Sequence, residues 1–255
     1  MNTRTRCLAI LDMLQKQHQV KVGELADTFN TSEMTIRRDL NFLTQQYNIT
    51  RTHGGATLAQ DSVVRMISFD EAKIEHKEAK ELIARKAMEL VDFRQRIFID
   101  SGSTTRNMIN YFTDDMRNVI VTNNLTVASV ALQHRNMSVI MLGGEMLHIA
   151  GCSSGTVAEE QMKRYQVDIA FLGAAAIGTD GKMYDGYSPE ARLKGTIFEV
   201  SKKICLMVDS TKFNCYDLHE FGSLRRVDTV ITDSGIDKDA LNLLNRYKVE
   251  VIIAK

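Results

Sequence analysis

Apolar and polar positions alternate with helical spacing through the first fifty residues. Leu8, Ile10, Leu11 and Leu14 recur at that spacing and predict an amphipathic helix over 3–17. Gln19-Val20-Lys21-Val22 is long enough only for a brief extended piece. Val22, Leu25, Ala26 and Phe29 mark a second, short helix, which Asn30-Thr31 breaks. Ser32 is placed to cap the third helix. On that helix Ile36, Leu40 and Leu43 fall at i, i+4 and i+7, so they should pack inward. Ile49 to Thr52 suits a strand and Gly54-Gly55 a tight turn, giving a two-stranded wing.

From Thr57 to Phe69 no periodicity survives, and this stretch is expected to be a hinge. Ile74, Ala79, Ile83, Ala87 and Leu90 then recur among many charges. The Lys and Glu residues between 71 and 81 are expected to form a solvated helix face. Beyond about residue 95 the period changes. Short β-branched runs at 96–100, 119–122, 139–142, 169–172, 203–208, 229–232 and 249–253 alternate with helical segments near 105–111, 126–134, 156–165, 190–201 and 238–247. Such alternation predicts a mostly parallel sheet covered on both faces. The expected organisation is a three-helix domain with a wing at 1–57, a linker at 58–74 and an α/β domain at 75–255.

Composition narrows the class without naming it. The hydrophobic fraction is 44% and the charged fraction 25%, ordinary for a globular chain. No apolar run reaches the length of a membrane span, and Asp12 and Lys16 interrupt any signal core, which predicts a cytoplasmic protein. Cys7, Cys152, Cys205 and Cys215 show neither CxxC pairing nor metal spacing, so no metal and no cofactor are expected. The first 56 residues hold seven Lys/Arg against five acids, a balance of +2. Nucleic-acid contact would therefore rest on local placement and paired copies, not on bulk charge.

That placement exists on the third helix. At about 100° per residue, Arg38 points away from the buried stripe, with Met34 and Phe42 to either side. Thr35 and Arg37 flank the stripe, while Asp39 lies near its buried edge and suits a structural role. A helix in the DNA major groove presents such residues to base edges and phosphates, its N-terminal part (with Ser32) leading. Arg51, His53 and Gly54 of the wing would lie against the sugar-phosphate backbone, where Arg51 adds affinity without sequence choice. An isolated arginine pair on a helix is more commonly a solvated surface; three helices in this order match the helix-turn-helix plan. The combination of Thr35-Ile36-Arg37-Arg38-Asp39-Leu40 with Arg51-Thr52-His53-Gly54-Gly55-Ala56 resembles the DeoR family of bacterial transcription regulators. Tyr47-Asn48 stands where that family usually has a glycine.

In the second half, candidate ligand groups gather at predicted strand ends, where open α/β sheets bind ligands. Asp100-Ser101-Gly102-Ser103-Thr104-Thr105 is a small, hydroxyl-rich turn that would offer donors to an anion such as phosphate, or else simply start a capped helix. Thr122-Asn123-Asn124, Gly143-Gly144, Gly173 and Lys212 stand at further strand ends. Glycine pairs there are often only turns. Glu190 and Lys194 share a helix face and are either an ordinary surface pair or, with Asp185, ligand contacts at a pocket mouth. This half resembles the DeoR sensor domain, which is similar in fold to ribose-5-phosphate isomerase and glucosamine-6-phosphate deaminase. The resemblance implies that 100–105 takes the place of those enzymes' phosphate loop, that Lys212 matches their Asp-Ser-x-Lys lysine, and that a phosphorylated sugar or related metabolite binds. Catalysis is not expected, because Gly173-Ala174-Ala175-Ala176 stands where those enzymes carry proton-shuttling acids. The chain is thus read as a repressor, with an activator or an isomerase as alternatives. Its partners would be operator DNA, a small-molecule effector and one or three further copies of itself.

Overall fold

The computed structural model describes residues 3–17, 19–46, 49–52, 54–58, 76–147 and 150–255. His53, Tyr47-Asn48, the hinge and linker residues from 59 to 74 (Ile74 included) and the side chain of Leu8 lie outside the described residues. The chain divides into two compact units, Met1–Ser68 and Phe69–Lys255.

In the first unit the three anticipated helices are α1 (Thr3–Gln17), α2 (Val22–Thr28) and α3 (Glu33–Gln46). Their apolar stripes meet in one core in which Ile10, Leu14, Leu25, Ile36 and Leu40 are fully buried. The wing differs from expectation. β1 (Gln19–Lys21), β2 (Ile49–Thr52) and β3 (Gly55–Leu58) form a three-stranded antiparallel sheet in the order β1-β3-β2. The brief extended piece before α2 pairs with β3, aligning Lys21 with Gly55. Gly55 therefore belongs to a strand and not to the turn. A Cβ there would lie 1.9 Å from the Val20 carbonyl oxygen, so only glycine lets the strands approach.

The second unit opens with α4 (Lys77–Ala87). Lys77 pairs with Glu81 on its exposed side, but Lys80, expected in solvent, is buried. The parallel sheet follows: β4 (Arg96–Ile99), β5 (Val119–Thr122), β6 (Ser138–Met141), then, after the hairpin β7 (Glu145–Leu147) and β8 (Cys152–Ser154), β9 (Ile169–Leu172). Two more short strands, β10 (Ala176–Ile177) and β11 (Lys182–Asp185), precede β12 (Ile204–Met207), β13 (His219–Ser223), β14 (Thr229–Asp233) and β15 (Glu250–Ala254). The main sheet has seven strands in the order β15-β14-β12-β9-β4-β5-β6, every adjacent pair parallel.

Alternation along each strand feeds two cores. Ile97 and Ile99 of β4 join one with Ile120, Phe171 and Met207, while Phe98 joins the other with Val121, Leu172 and Leu206. The first core is closed by α4 and α5 (Leu125–Ala131); the second by α6 (Thr156–Met162), α7 (Ser188–Val200) and α8 (Lys238–Arg246). The helical stretch after β4 is a 3₁₀ helix, Thr105–Tyr111. The two smaller sheets, β10-β11-β13 and β7-β8, are antiparallel and were not anticipated. From β4 the chain winds outward through β5 and β6, then returns to β9 on the other side. The strand order reverses between β4 and β9, and their carboxyl ends flank the crevice where ligands settle in such sheets.

Candidate functional site

In the head, Ser32 caps α3 as its position predicts: the Thr35 amide donates to Ser32 Oγ at 3.2 Å. Asp39 is buried and accepts from Arg6 Nε at 2.5 Å and Nη2 at 3.3 Å, tying α3 to α1. With that pair fixing the inner face, Met34, Arg37 and Arg38 stand exposed, and Met34 keeps 67% of its surface in solvent. Arg37 is braced by Glu33 at 3.1 Å. Thr35 and Arg51 are half-buried. Gly54 is exposed at the turn, and its carbonyl accepts from the Val22 amide at 2.7 Å.

At the switch point of the second unit, charges converge that lie far apart in sequence. The Lys194 ammonium on α7 lies 2.7 Å from Asp185 Oδ2 and 3.3 Å from Asp100 Oδ2, and donates to the Gly173 carbonyl at 3.0 Å. Asp100 also accepts from the Gly173 amide at 2.9 Å, stitching the end of β4 to the end of β9. One turn earlier on α7, Glu190 receives Ser101 Oγ at 2.6 Å, Asn123 Nδ2 at 3.1 Å and Cys152 Sγ at 3.4 Å. Both members of the helix pair are buried, Glu190 to 4% and Lys194 to 5% exposure. They are thus neither an ordinary surface pair nor at an open mouth: α7 packs this face against β8, β11 and β13.

Burial governs the titration of this cluster. For Lys194 burial opposes the charge, but Asp100, Asp185 and Glu190 together outweigh it and hold the ammonium well above its ordinary range. Glu190 is pushed up to about 7, first by burial and next by the charge of Asp100, with Lys194 and the Ser101 hydroxyl opposing.

The remaining candidates separate into loop-builders and rim. Thr105 Oγ1 donates to the carbonyls of Asp100 and Gly102, both at 3.0 Å, and Thr104 is buried beneath the loop. That leaves Gly102 and Ser103 half-exposed at the rim. Thr122 donates to the Ile99 carbonyl at 2.7 Å, and Asn124 caps α5 through Val127 while donating to the Ala150 carbonyl, so both are engaged internally. The Gly143 amide donates to Gln161 at 2.6 Å. Gly144, at φ +132°, passes so close to Ser154 that a Cβ would sit 2.5 Å from its carbonyl oxygen. Lys212 ends a 3₁₀ turn, Ser210–Lys212, after β12, half-exposed, and its charge reaches Asp217. Asp217, half-buried opposite Gly186, and Cys152 were not anticipated, because nothing in their local spacing signals a site.

A three-helix head with a β wing, followed in one chain by a parallel α/β unit, defines the class of helix-turn-helix transcriptional regulators with a separate sensor. The chain belongs to the DeoR family of these regulators: residues 6–62 match the DeoR-like helix-turn-helix domain and residues 75–234 the DeoR C terminal sensor domain. It is 32% identical to the glycerol-3-phosphate regulon repressor of Escherichia coli (strain K12), over 95% of both chains. It is 31% identical to the lactose phosphotransferase system repressor of Lactococcus lactis subsp. lactis, over 97% of both. Among solved structures, ribose 5-phosphate isomerase A from Methanocaldococcus jannaschii is similar at 19% identity, a TM-score of 0.40 and 54% of each chain. The chain is thus a DNA-binding regulator, not an enzyme. Among the described residues no helix is long and apolar enough to cross a membrane, and no three metal-ligating side chains cluster.

Proposed function

We propose that the chain represses genes for the use of a carbohydrate or polyol, and that a phosphorylated sugar or related metabolite releases it from operator DNA. The observation carrying the proposal is the switch-point cluster. A hydroxyl-rich loop rim lies over a buried cation and three carboxylates, a floor that suits the hydroxyls of a sugar, while Gly102, Ser103 and Lys212 suit its phosphate. In the head, Met34, Thr35 and Arg38 would read base edges, with Ser32, Arg37, Arg51, His53 and Gly54 on the backbone. Two or four copies would present paired heads to paired half-sites. The metabolite must favour the DNA-incompetent state, since equal affinity for both states shifts nothing. In support, the relatives above are named repressors of a glycerol-3-phosphate regulon and of a lactose phosphotransferase system.

The test is fluorescence anisotropy on DNA from upstream of the gene for this chain, with Lys212→Ala as the probe of the rim. That variant is expected to keep wild-type DNA affinity while needing at least about tenfold more metabolite for release, the loss of roughly one charged contact. Unchanged release by the same metabolite removes Lys212 from the site, and release that requires no metabolite-binding residue overturns the reading.

A further inference from the structure

The floor of the switch-point site is electrically unbalanced. Lys194 is one cation among three carboxylates, Asp100, Asp185 and Glu190, a formal balance of −2 when all are ionised. Other groups facing Glu190 do not change that sum: Ser101 from the end of β4, Asn123 from the end of β5, Cys152 of β8, and Tyr187 at the start of α7 are neutral at pH 7. An anion approaching these carboxylates meets repulsion. A buried carboxylate escapes that conflict by taking a proton.

The hydrogen bonds provide a route. Ser101 belongs to the candidate anion loop, yet its hydroxyl hydrogen is spent on Glu190 Oε2 at 2.6 Å. A protonated Glu190 would reverse that bond, donating its O–H to Ser101 Oγ. The Ser101 hydrogen would then turn to the ligand. One proton from solvent thus cancels one negative charge in the floor and supplies one donor to the loop.

We propose that binding of an anionic effector at the 100–105 loop takes up one proton from solvent at Glu190, through reversal of the Ser101–Glu190 hydrogen bond, so that release from DNA weakens as pH rises. The proposal rests on the anion-site reading of this loop. Its pH window lies near neutrality because burial already holds Glu190 at about 7.

The experiment uses the full chain and sulfate, an anion that does not itself titrate near neutrality. Calorimetry at pH 7.5 in two buffers of different ionisation enthalpy counts protons, and the shifted amides of Gly102 and Ser103 in NMR locate the sulfate. Wild type is expected to take up most of one proton per sulfate, with affinity falling about tenfold between pH 7.5 and 8.5 at constant ionic strength. Glu190→Gln is expected to bind with no proton uptake and a flat pH profile. A check independent of any variant is the carboxyl ¹³C signal of labelled glutamate: one resonance should titrate near neutrality and shift to its protonated position when sulfate is added. Sulfate binding at the loop without proton uptake overturns the inference and leaves the site. Uptake that persists in Glu190→Gln, with the ¹³C signal unmoved, overturns it as well. Absence of sulfate from Gly102 and Ser103 between pH 6 and 8.5 overturns the anion-site reading itself.

Discussion

Each unit buries charge, and the two do it differently. In the head Arg6 meets Asp39 at 2.5 Å, and this buried pair joins two helices. In the sensor Lys194 faces three carboxylates, and among the described residues no second cation is ion-paired with them. A balanced buried pair is architecture, since apolar side chains of similar volume could replace it. An unbalanced cluster is tolerable only where protons, solvent or a ligand complete it, and such places are where function concentrates. The head carries Arg37 and Arg38 exposed on its outer face, whereas the sensor gathers Lys194, Asp100 and Glu190 within.

The comparison breaks first at Lys194. Lys194→Met leaves the buried Asp100 and Glu190 and the half-buried Asp185 without their cation and is expected to destabilise the sensor unit by about 5 kcal/mol, read from its urea midpoint. Acid should partly rescue that variant by protonating the cluster. Asp39→Ala in the head is expected to cost about 3 kcal/mol by removing the carboxylate that faces the buried Arg6. The double replacement Arg6→Leu with Asp39→Leu should return to within about 1 kcal/mol of wild type. A double replacement as damaging as the single one would mean that the pair does more than join helices.

Glu190 sharpens the contrast through pH. Its folded pKa, about 7, stands above the ordinary 4.5, so the acid form is the one the fold stabilises. That contribution is complete below about pH 4.5 and is lost as pH rises through about 7, a change of roughly 3 kcal/mol. Sensor stability in urea should fall accordingly between pH 5 and 7.5 in wild type, and Glu190→Gln should flatten the profile. The smallest expected effect lies on the surface. Arg38→Ala should leave stability unchanged while weakening operator binding by about 1–3 kcal/mol in anisotropy titrations.

Much of this was legible in the chain. The inner strands of the parallel sheet are legible because they are buried on both faces and so read as continuous apolar runs, as in Ile169-Ala170-Phe171-Leu172. Helices of the head are legible because Ile36, Leu40 and Leu43 must share a stripe. Strands β7, β8, β10, β11 and β13 were not, since they are short, polar or glycine-bearing and exist only through antiparallel partners. The third strand of the wing was missed for the same reason: Gln19 to Lys21 pairs with residues near 56, a non-local choice. Glu190 and Lys194 were visible as a helical pair, but burial is a tertiary fact, and the meeting of Lys194 with Asp100 depends on where the sheet reverses. Loop motifs mislead in the other direction, for Thr122 and Asn124 carry site-like chemistry yet spend it on the ends of β4 and α5.

The most direct test of the account joins both units in one titration. The full chain, bound at low salt to DNA from upstream of its gene, is titrated with a panel of phosphorylated sugars and polyols, and anisotropy is followed with the chemical fate of each compound. The account predicts salt-sensitive binding and release by one compound that is recovered unchanged. Failure to bind that DNA at low salt, or a complex indifferent to every compound while one of them is converted, would contradict it.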